Sequence, residues 1–457
     1  MVPWPDFRPG HNTDCRRGFL ARGAQQQAGR EERPEGKKQH GPLHDGTIAR
    51  KMNERQLTVG RLLAICAGRV FLFATFMTVA AVIPLLMRDW ALTATAAGAI
   101  VSSFTLCYAA SVFGFAWAAD HFGAKRMVAV SAIAAAAASA AFGFLARDWW
   151  SAVLVYGLVG LVQGGIYTPL VMLLSDEVEK ASRGKAMGWL IASTSVGYCT
   201  SLGAAALGIG IGGWQTAFVL SGLLPALGAV VLLGAIAPFA NRIHPRPAQV
   251  RLRDEILRNR ESRLLIAGYT AHSWELLGMW AWIPAFLAAG FALQGATFGD
   301  ATVSGAWLSS LLHGVGAVAA FTMGRLSDRT GRRPVLVVLA GAGAIASFAI
   351  GWLVHAPSII LVPLALAYAF VTLGDSPVLT TAISEAVRPG YLGAVLAWRG
   401  FAGFGAGALA PLGVGLVLDA AAKAGASPAV SWGLGFAMLG VGGVLAFACA
   451  VALRRAR

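Results

Sequence analysis

Two ionisable residues, Glu275 and His272, lie three positions apart within a long apolar run. Residues at this spacing share one face of an α-helix. Burial in apolar surroundings favours the neutral form of a carboxylate, whereas a neighbouring imidazolium favours the charged form. Such a pair is suited to taking up and releasing a proton near neutral pH. The alternative interpretation is a structural hydrogen bond between helices.

Two arginines, Arg69 and Arg399, also lie inside apolar runs. Each is about 10–12 Å from one end of its run by helical rise. A guanidinium that faces a cavity binds carboxylates and other anions. A side chain of this length also reaches the interfacial water while its stem remains in apolar surroundings. The pattern therefore predicts either an anion-binding pair or two arginines that extend to the interface.

Three further polar residues of the apolar runs are candidates for substrate contact or proton coupling: Asp375, His313 and Gln163. Asp375 precedes Pro377, which removes one backbone hydrogen bond and kinks a helix. An ordinary hydrogen bond between helices explains His313 and Gln163 equally well. If the bound solute were a cation, Glu275 and Asp375 would be the carboxylates that bind it.

The scaffold for these residues is strongly apolar. The chain has 457 residues, 56% hydrophobic and 13% charged, against about 25% charged in ordinary soluble domains. Twelve apolar runs of about 20–28 residues are each long enough to cross a hydrocarbon core of about 30 Å. We therefore predict an all-α membrane protein with twelve transmembrane helices in two pseudosymmetric six-helix bundles. The expected division is a disordered cytoplasmic tail (1–58), a first bundle (59–238), a cytoplasmic linker (239–263) and a second bundle (264–457). Translation is expected to start at either Met1 or Met52.

The positive charge is concentrated on one side of the predicted spans. The formal net charge is +15. Loops on the side of the termini carry 20 Lys and Arg, whereas the opposite loops carry only Arg88, Arg147 and Lys423. By the positive-inside rule both termini are cytoplasmic, in a multi-pass protein of the cell membrane. This distribution indicates contact with the lipid bilayer and not with nucleic acid.

The five cysteines form no C-x-x-C pair, so no metal site is expected. No cofactor is expected either.

The two halves of the chain repeat. The segment that begins at Asp120 and ends at Gly123 has a counterpart that begins at Asp328 and ends at Gly331, 208 residues later. Pro169 and Pro377 are separated by the same 208 residues. Because both the Asp-to-Gly segment and the proline recur after 208 residues, we infer that a six-span unit was duplicated. A parallel repeat of this kind is typical of transporters.

The ten residues from Gly324 to Arg333, GRLSDRTGRR, resemble the signature loop of the major facilitator superfamily, G-x-x-x-D-R-x-G-R-R. The first-half copy has Ala116 and His121 in place of the Gly and the first Arg. The resemblance covers residues 62–453 and implies that these loops hold the cytoplasmic side closed. The gating residues it implies are Asp120, Gly123, Lys125, Arg126, Gly324, Asp328, Arg329, Gly331, Arg332 and Arg333.

Two physical features accompany this resemblance. A carboxylate at a helix end accepts hydrogen bonds from the exposed amides at the start of a neighbouring helix, and this is the role expected of Asp120 and Asp328. Asp176 and Arg183 resemble the acidic-to-arginine pair that members of the family carry after span 4. A solvated run of charges is the alternative for that pair.

The resemblance implies a secondary active transporter that works by alternating access. We expect a small-molecule substrate, with an organic or inorganic anion favoured. We also expect that transport is coupled to protons and that the protein is a monomer. The alternative is efflux of hydrophobic or cationic compounds by proton antiport, although span 4 reads GLVQG without the Arg of R-x-x-Q-G and span 5 lacks a Gly-Pro motif. A non-transporting receptor is a remote alternative. An enzyme is not expected, because we find no clustered nucleophile, base or metal set. Since we find no Walker A loop, we expect that transport is not driven by an ATPase within this chain.

Overall fold

The computed structural model describes residues 58–178, 180–243, 256, 258–388 and 391–454, without the side chains of 180–185. These residues belong to one compact unit, Met52–Arg457. The first half contains α1 (Val59–Leu72), α2 (Thr78–Asp89), α3 (Ala94–Phe122), α4 (Ala124–Leu145), α5 (Trp149–Gln163), α6 (Thr168–Glu177) and α7 (Lys180–Ile236). The second half contains α8 (Arg260–Leu293), α9 (Phe298–Thr330), α10 (Arg332–Ile350), a 3₁₀ turn (Gly351–Leu353), α11 (Ser358–Ala386), α12 (Leu392–Lys423) and α13 (Pro428–Ala452).

Within the described part of the chain, ten helical segments are long and apolar enough to cross a membrane. The predicted all-α membrane fold is therefore confirmed. The longest helix, α7, is interrupted at Gly212 and Gly213, and Gly213 has a left-handed φ of 75°. The first predicted span is divided at 73–77, between α1 and α2. The count of twelve spans stays a prediction, which the break in α7 favours.

The two halves share a local structure at the predicted repeat positions. Gly123 (φ 90°, ψ 142°) joins α3 to α4, and Gly331 (φ 93°, ψ 156°) joins α9 to α10 in nearly the same conformation. Left-handed φ values favour glycine because it has no Cβ. Two residues after each glycine, a basic side chain binds the end of the last helix of its half: Lys125 Nζ donates to the Phe239 carbonyl (2.7 Å) and Arg333 Nη2 to the Val451 carbonyl (2.9 Å). This correspondence supports duplication of a common unit.

We call the face that carries Gly123 and Gly331 the basic face, and the other the opposite face. The two halves meet where α3 packs against α12 and α7 against α9. Tyr108 and Phe404 bring their rings to 5.0 Å across the first contact. At the second, Ser310 Oγ donates to the Cys199 carbonyl (2.9 Å).

Candidate functional site

Arg69, on α1, is buried, with 1% of its surface exposed. Its Nη1 donates to the Leu190 carbonyl and to Ser193 Oγ (2.8 Å), both on α7. The guanidinium carbon lies 4.9 Å from the ring centroids of both Phe73 and Tyr167, within the range of cation–π contacts. Its Nε has no hydrogen-bond partner among the residues that the structure describes. Arg69 is therefore held in the interior, and it does not extend to the interface.

Arg399, on α12, is half-buried in the other half of the protein. Its Nη1 donates to Thr380 Oγ1 (3.2 Å), and its guanidinium lies 4.1 Å from the centroid of the Tyr269 ring. Within the described part of the chain, the buried Nε of Arg399 has no hydrogen-bond partner either. Among the described residues, no carboxylate forms an ion pair with Arg399 or with Arg69.

A tyrosine lies near both arginines. Tyr167, in the break between α5 and α6, lies 4.9 Å from the Arg69 guanidinium and is close enough to Arg399 to be affected by its charge. We call Arg69, Tyr167, Tyr269 and Arg399 the two-arginine cluster. It combines one guanidinium from each half with aromatic rings and phenolic hydroxyls. A buried cation without an acidic partner is costly, so this cluster is suited to receive an anion.

Glu275, on α8, lies elsewhere, in the interior of the second half, with 3% of its surface exposed. Ser347 Oγ donates to Glu275 Oε1 (2.6 Å) and lies 2.5 Å from the Tyr368 hydroxyl. Glycine backbones flank the carboxylate: a Cβ on Gly443 would lie 2.8 Å from Oε2. The side chain is thus enclosed by α8, α10, α11 and α13. Ser347 and Tyr368 were not predicted, because hydroxyl side chains in apolar runs are common and carry no charge to distinguish them.

His272 contacts a different carboxylate from the one predicted. Its Nδ1 lies 3.0 Å from Asp375 Oδ2, and its Nε2 lies 3.0 Å from Ser376 Oγ, both on α11. The structure therefore brings Asp375, and not Glu275, to the His272 imidazole. Among the described residues, Asp375 Oδ1 has no hydrogen-bond partner. Asp375 also lines a cavity of about 10 Å³, the size of one water molecule. We call Glu275, His272 and Asp375 the carboxylate–imidazole cluster.

Gln163 and His313 occupy two further sites. Gln163 Nε2 donates to the Leu72 carbonyl (3.0 Å) and so supports the chain where α1 ends. His313, on α9, lies between the rings of Trp280 (4.9 Å) and Tyr198 (5.3 Å), at the contact between the halves. The structure therefore shows a role for Gln163 within the first half, while His313 joins aromatic residues of both halves.

The signature loop of the second half forms ion pairs within its own half. Asp328 Oδ1 lies 2.5 Å from Arg332 Nη1, and Arg332 Nη2 lies 2.8 Å from Glu385 Oε1. Asp328 was predicted to accept hydrogen bonds from the backbone amides at the start of a neighbouring helix. The hydrogen bonds that the structure shows for Asp328 do not include one of this kind. Gly324 lies inside α9, so the turn is made by Gly331 alone. Arg325 lies over the Phe321 ring, and Arg329 is exposed.

The corresponding loop of the first half is held by a residue that the sequence did not single out. Asn241 Oδ1 accepts from the Arg126 amide (3.2 Å), and Asn241 Nδ2 donates to the Phe122 carbonyl (2.9 Å). Asp120 lies near the end of α3. At the end of α6, Arg242 Nη1 donates to the Asp176 carbonyl (3.2 Å). The side chain of Arg183 lies outside the described residues.

The sequence model of the Major Facilitator Superfamily matches residues 65–411 of this chain. This match covers more than half of the sequence and includes the two-arginine cluster and the signature loops. The chain belongs to the Major Facilitator Superfamily, and the predicted membership is confirmed. The family and its similar proteins indicate a transporter rather than an enzyme.

Two bacterial transporters, one of them a probable transporter, are similar to parts of the chain. A probable sulfoacetate transporter, SauU, of Cupriavidus necator is 23% identical over 240 residues, which are 52% of this chain and 54% of that protein. A niacin transporter, NiaP, of Acinetobacter baylyi is 30% identical over 164 residues, 34% of this chain and 35% of that protein. The chain thus spans about half or less of the length of these relatives.

Solved structures extend the similarity to nearly the whole fold. A bacterial homologue of the human lysosomal transporter Spinster, in an inward-facing and unoccupied conformation, superposes with a TM-score of 0.68 at 17% identity, over 86% of this chain and 95% of that one. The nucleoside transporter NupG gives a TM-score of 0.64 at 13% identity, over 86% and 100% of the two chains. These similarities confirm the fold.

Proposed function

We propose that this protein is a proton-coupled secondary transporter that moves a small organic anion across the cell membrane by alternating access. The two-arginine cluster binds the anion. The carboxylate–imidazole cluster carries the proton. The basic face is cytoplasmic, and the signature loops on that face take part in gating.

The observation that carries this proposal is the pair of uncompensated arginines. Arg69 and Arg399 come from different halves, each guanidinium has a buried Nε without a partner, and neither has an ion-pair partner among the described residues. A membrane-buried charge costs about 2.5–3.5 kcal/mol on insertion scales and is functional by default. An anion that bridges the arginines neutralises both charges and connects the halves that must move relative to each other.

Proton coupling is assigned to the second half because, among the described residues, its buried carboxylates have no arginine or lysine partner. Glu275 accepts a hydrogen bond from Ser347, and Asp375 contacts His272. Burial favours a neutral carboxylic acid, so a proton bound here lowers the cost of enclosing the cluster. To drive transport, the proton must stabilise one conformation more than the other.

The similar proteins agree with an organic anion as substrate. Sulfoacetate is a sulfonate with a carboxylate, and niacin is an aromatic carboxylic acid. Both present an anionic group to a transporter. The alternative, efflux of a hydrophobic cation, needs a carboxylate that faces the solute, whereas Glu275 is enclosed within the second half.

The test is uptake of a panel of small organic anions into proteoliposomes with an imposed inward pH gradient, comparing the wild-type protein with Glu275→Gln. We expect at least one anion to accumulate in wild-type vesicles. The variant should retain exchange of labelled for unlabelled substrate and lose gradient-driven accumulation, because its amide cannot carry a proton. Unchanged accumulation by the variant would contradict Glu275 as the proton site. Transport of hydrophobic cations and not of anions would favour antiport efflux instead.

A further inference from the structure

Asp419 joins the two halves at the opposite face. It lies near the end of α12, and its Oδ1 and Oδ2 accept hydrogen bonds from the backbone amides of Ala94 (2.8 Å) and Thr95 (2.9 Å). Ala94 and Thr95 are the first two residues of α3, where amides have no partner within the helix. Thr93 Oγ1 accepts from the next amide, that of Ala96 (3.1 Å). One half thus supplies the carboxylate that caps a helix of the other.

The helices joined by Asp419 also touch backbone to backbone. A Cβ on Gly98 of α3 would overlap the Pro411 carbonyl of α12, and a Cβ on Gly415 would overlap the Ala94 carbonyl. Trp282 Nε1 of α8 donates to the Pro411 carbonyl as well (2.9 Å). Asp419 therefore lies at the end of a close, small-residue crossing between the halves.

Water can reach this contact from the opposite face. Ala94 and Asp419 line an open cavity of about 490 Å³, together with Arg88 of the first half and Trp432 of the second. When the helices separate, the two amides and the carboxylate become hydrated and are not left buried without partners. The contact is stable when closed and does not prevent separation.

We propose that Asp419 is a positioning residue of the transport cycle: it stabilises the conformation in which the halves are closed at the opposite face, and its release from α3 accompanies opening there. This proposal rests on the alternating access proposed above. The attraction has two parts, the hydrogen bonds themselves and the interaction of a negative charge with the positive end of the α3 dipole. The arrangement expected of the signature-loop aspartates thus occurs on the other face of the protein.

The test measures opening at the opposite face without any substrate. A reporter cysteine replaces Ala97, which is fully buried in one cluster with Met279 and Trp282 of the second half. The native cysteines are replaced by serine or alanine. The protein is expressed in cells, and the rate of reaction with a membrane-impermeant maleimide added from outside is measured for the reporter alone and with Asp419→Asn.

Asn keeps one acceptor oxygen and loses the charge, so we expect labelling to become about tenfold faster, from the typical strength of hydrogen bonds to charged groups. The matched control is Asp148→Asn. Asp148 also caps a helix, since its Oδ1 accepts from the Ser151 amide (2.9 Å), but both residues belong to the first half. The control should label at the rate of the reporter alone.

Equal labelling rates in Asp419→Asn and the reporter alone would overturn the proposal, and so would an equal increase in the Asp148→Asn control. If Asp419→Asn does not accumulate in the membrane, Asp419→Ser, which also keeps an acceptor without charge, is measured with the same two outcomes. Because labelling needs no substrate, faster labelling together with failure of anion transport would leave this proposal standing and reject the proposed substrate.

Discussion

Replacement of Arg69 by Gln separates a binding role of this residue from a structural one. Arg69 contacts two groups on α7, the Leu190 carbonyl and Ser193 Oγ. Ser193 Oγ also donates to the Leu190 carbonyl (2.7 Å), so this carbonyl keeps a partner in the variant. A structural role alone would predict loss of stability, whereas an anion-binding role predicts loss of affinity.

The expected magnitudes differ between the two roles. A hydrogen bond to a charged group contributes about 1.5–3 kcal/mol, so loss of one guanidinium–anion contact should weaken anion binding about 10- to 100-fold. The cation–π contacts with Phe73 and Tyr167 are lost as well, at about 0.5–2 kcal/mol each. Against this, the variant no longer buries a charge without an acidic partner. We therefore expect the free energy of unfolding to change by no more than about 2 kcal/mol.

The assay is equilibrium binding of the anion identified by uptake, combined with thermal melting in detergent. The control is Arg88→Gln, because the side chain of Arg88 is 56% exposed and pairs with its neighbour Asp89. The control should leave the Kd unchanged. An Arg69→Gln protein that melts like the wild type and binds the anion with an unchanged Kd would refute the assignment of Arg69 to the anion site.

Two further predictions follow from the same structure. Arg399→Lys should bind the anion more tightly than Arg399→Gln but less tightly than wild type, since lysine keeps the charge and loses the planar stacking on Tyr269, and equilibrium binding of the three proteins checks this order. Gly443→Ala should destabilise the protein by about 1–3 kcal/mol, because its methyl group would lie 2.8 Å from Glu275 Oε2, whereas Gly234→Ala, with open space around it, should melt like the wild type.

The fold was predictable because apolar length and charge distribution are properties of the sequence alone. The repeat at Gly123 and Gly331 was also visible, and both glycines have the left-handed φ that such a turn requires. Arg69, Arg399 and Glu275 could be identified from the sequence, because a charged residue inside an apolar run is unusual. Which neighbours they contact depends on how each helix is rotated in its bundle, and the sequence does not specify this rotation. His272 is an example, because it contacts Asp375 and not Glu275.

Asp419 shows a different limit of sequence analysis. It lies at the end of an apolar run, where a charged residue is ordinary and resembles any residue of a solvated loop. Its partners are backbone amides, which every residue except proline carries, and the nearest of them is 324 positions away in the chain. No pattern of residue types identifies such a contact. Gly98 and Gly415 give a partial indication, but they are only two of the 56 glycines in the chain.

The distribution of charged groups between the halves bears on how binding and proton uptake are connected. Each half contributes one arginine to the two-arginine cluster, whereas the carboxylate–imidazole cluster lies wholly in the second half. Tyr269 connects the clusters, because its ring lies under Arg399 and 6.0 Å from the ring of His272. Arg399 and His272 thus lie against the same aromatic ring. On the proposed function, an anion bound at Arg399 offsets the positive potential at His272 and so favours protonation of the imidazole. Substrate and proton therefore bind together in the second half. Arg69 connects this loaded site to the first half.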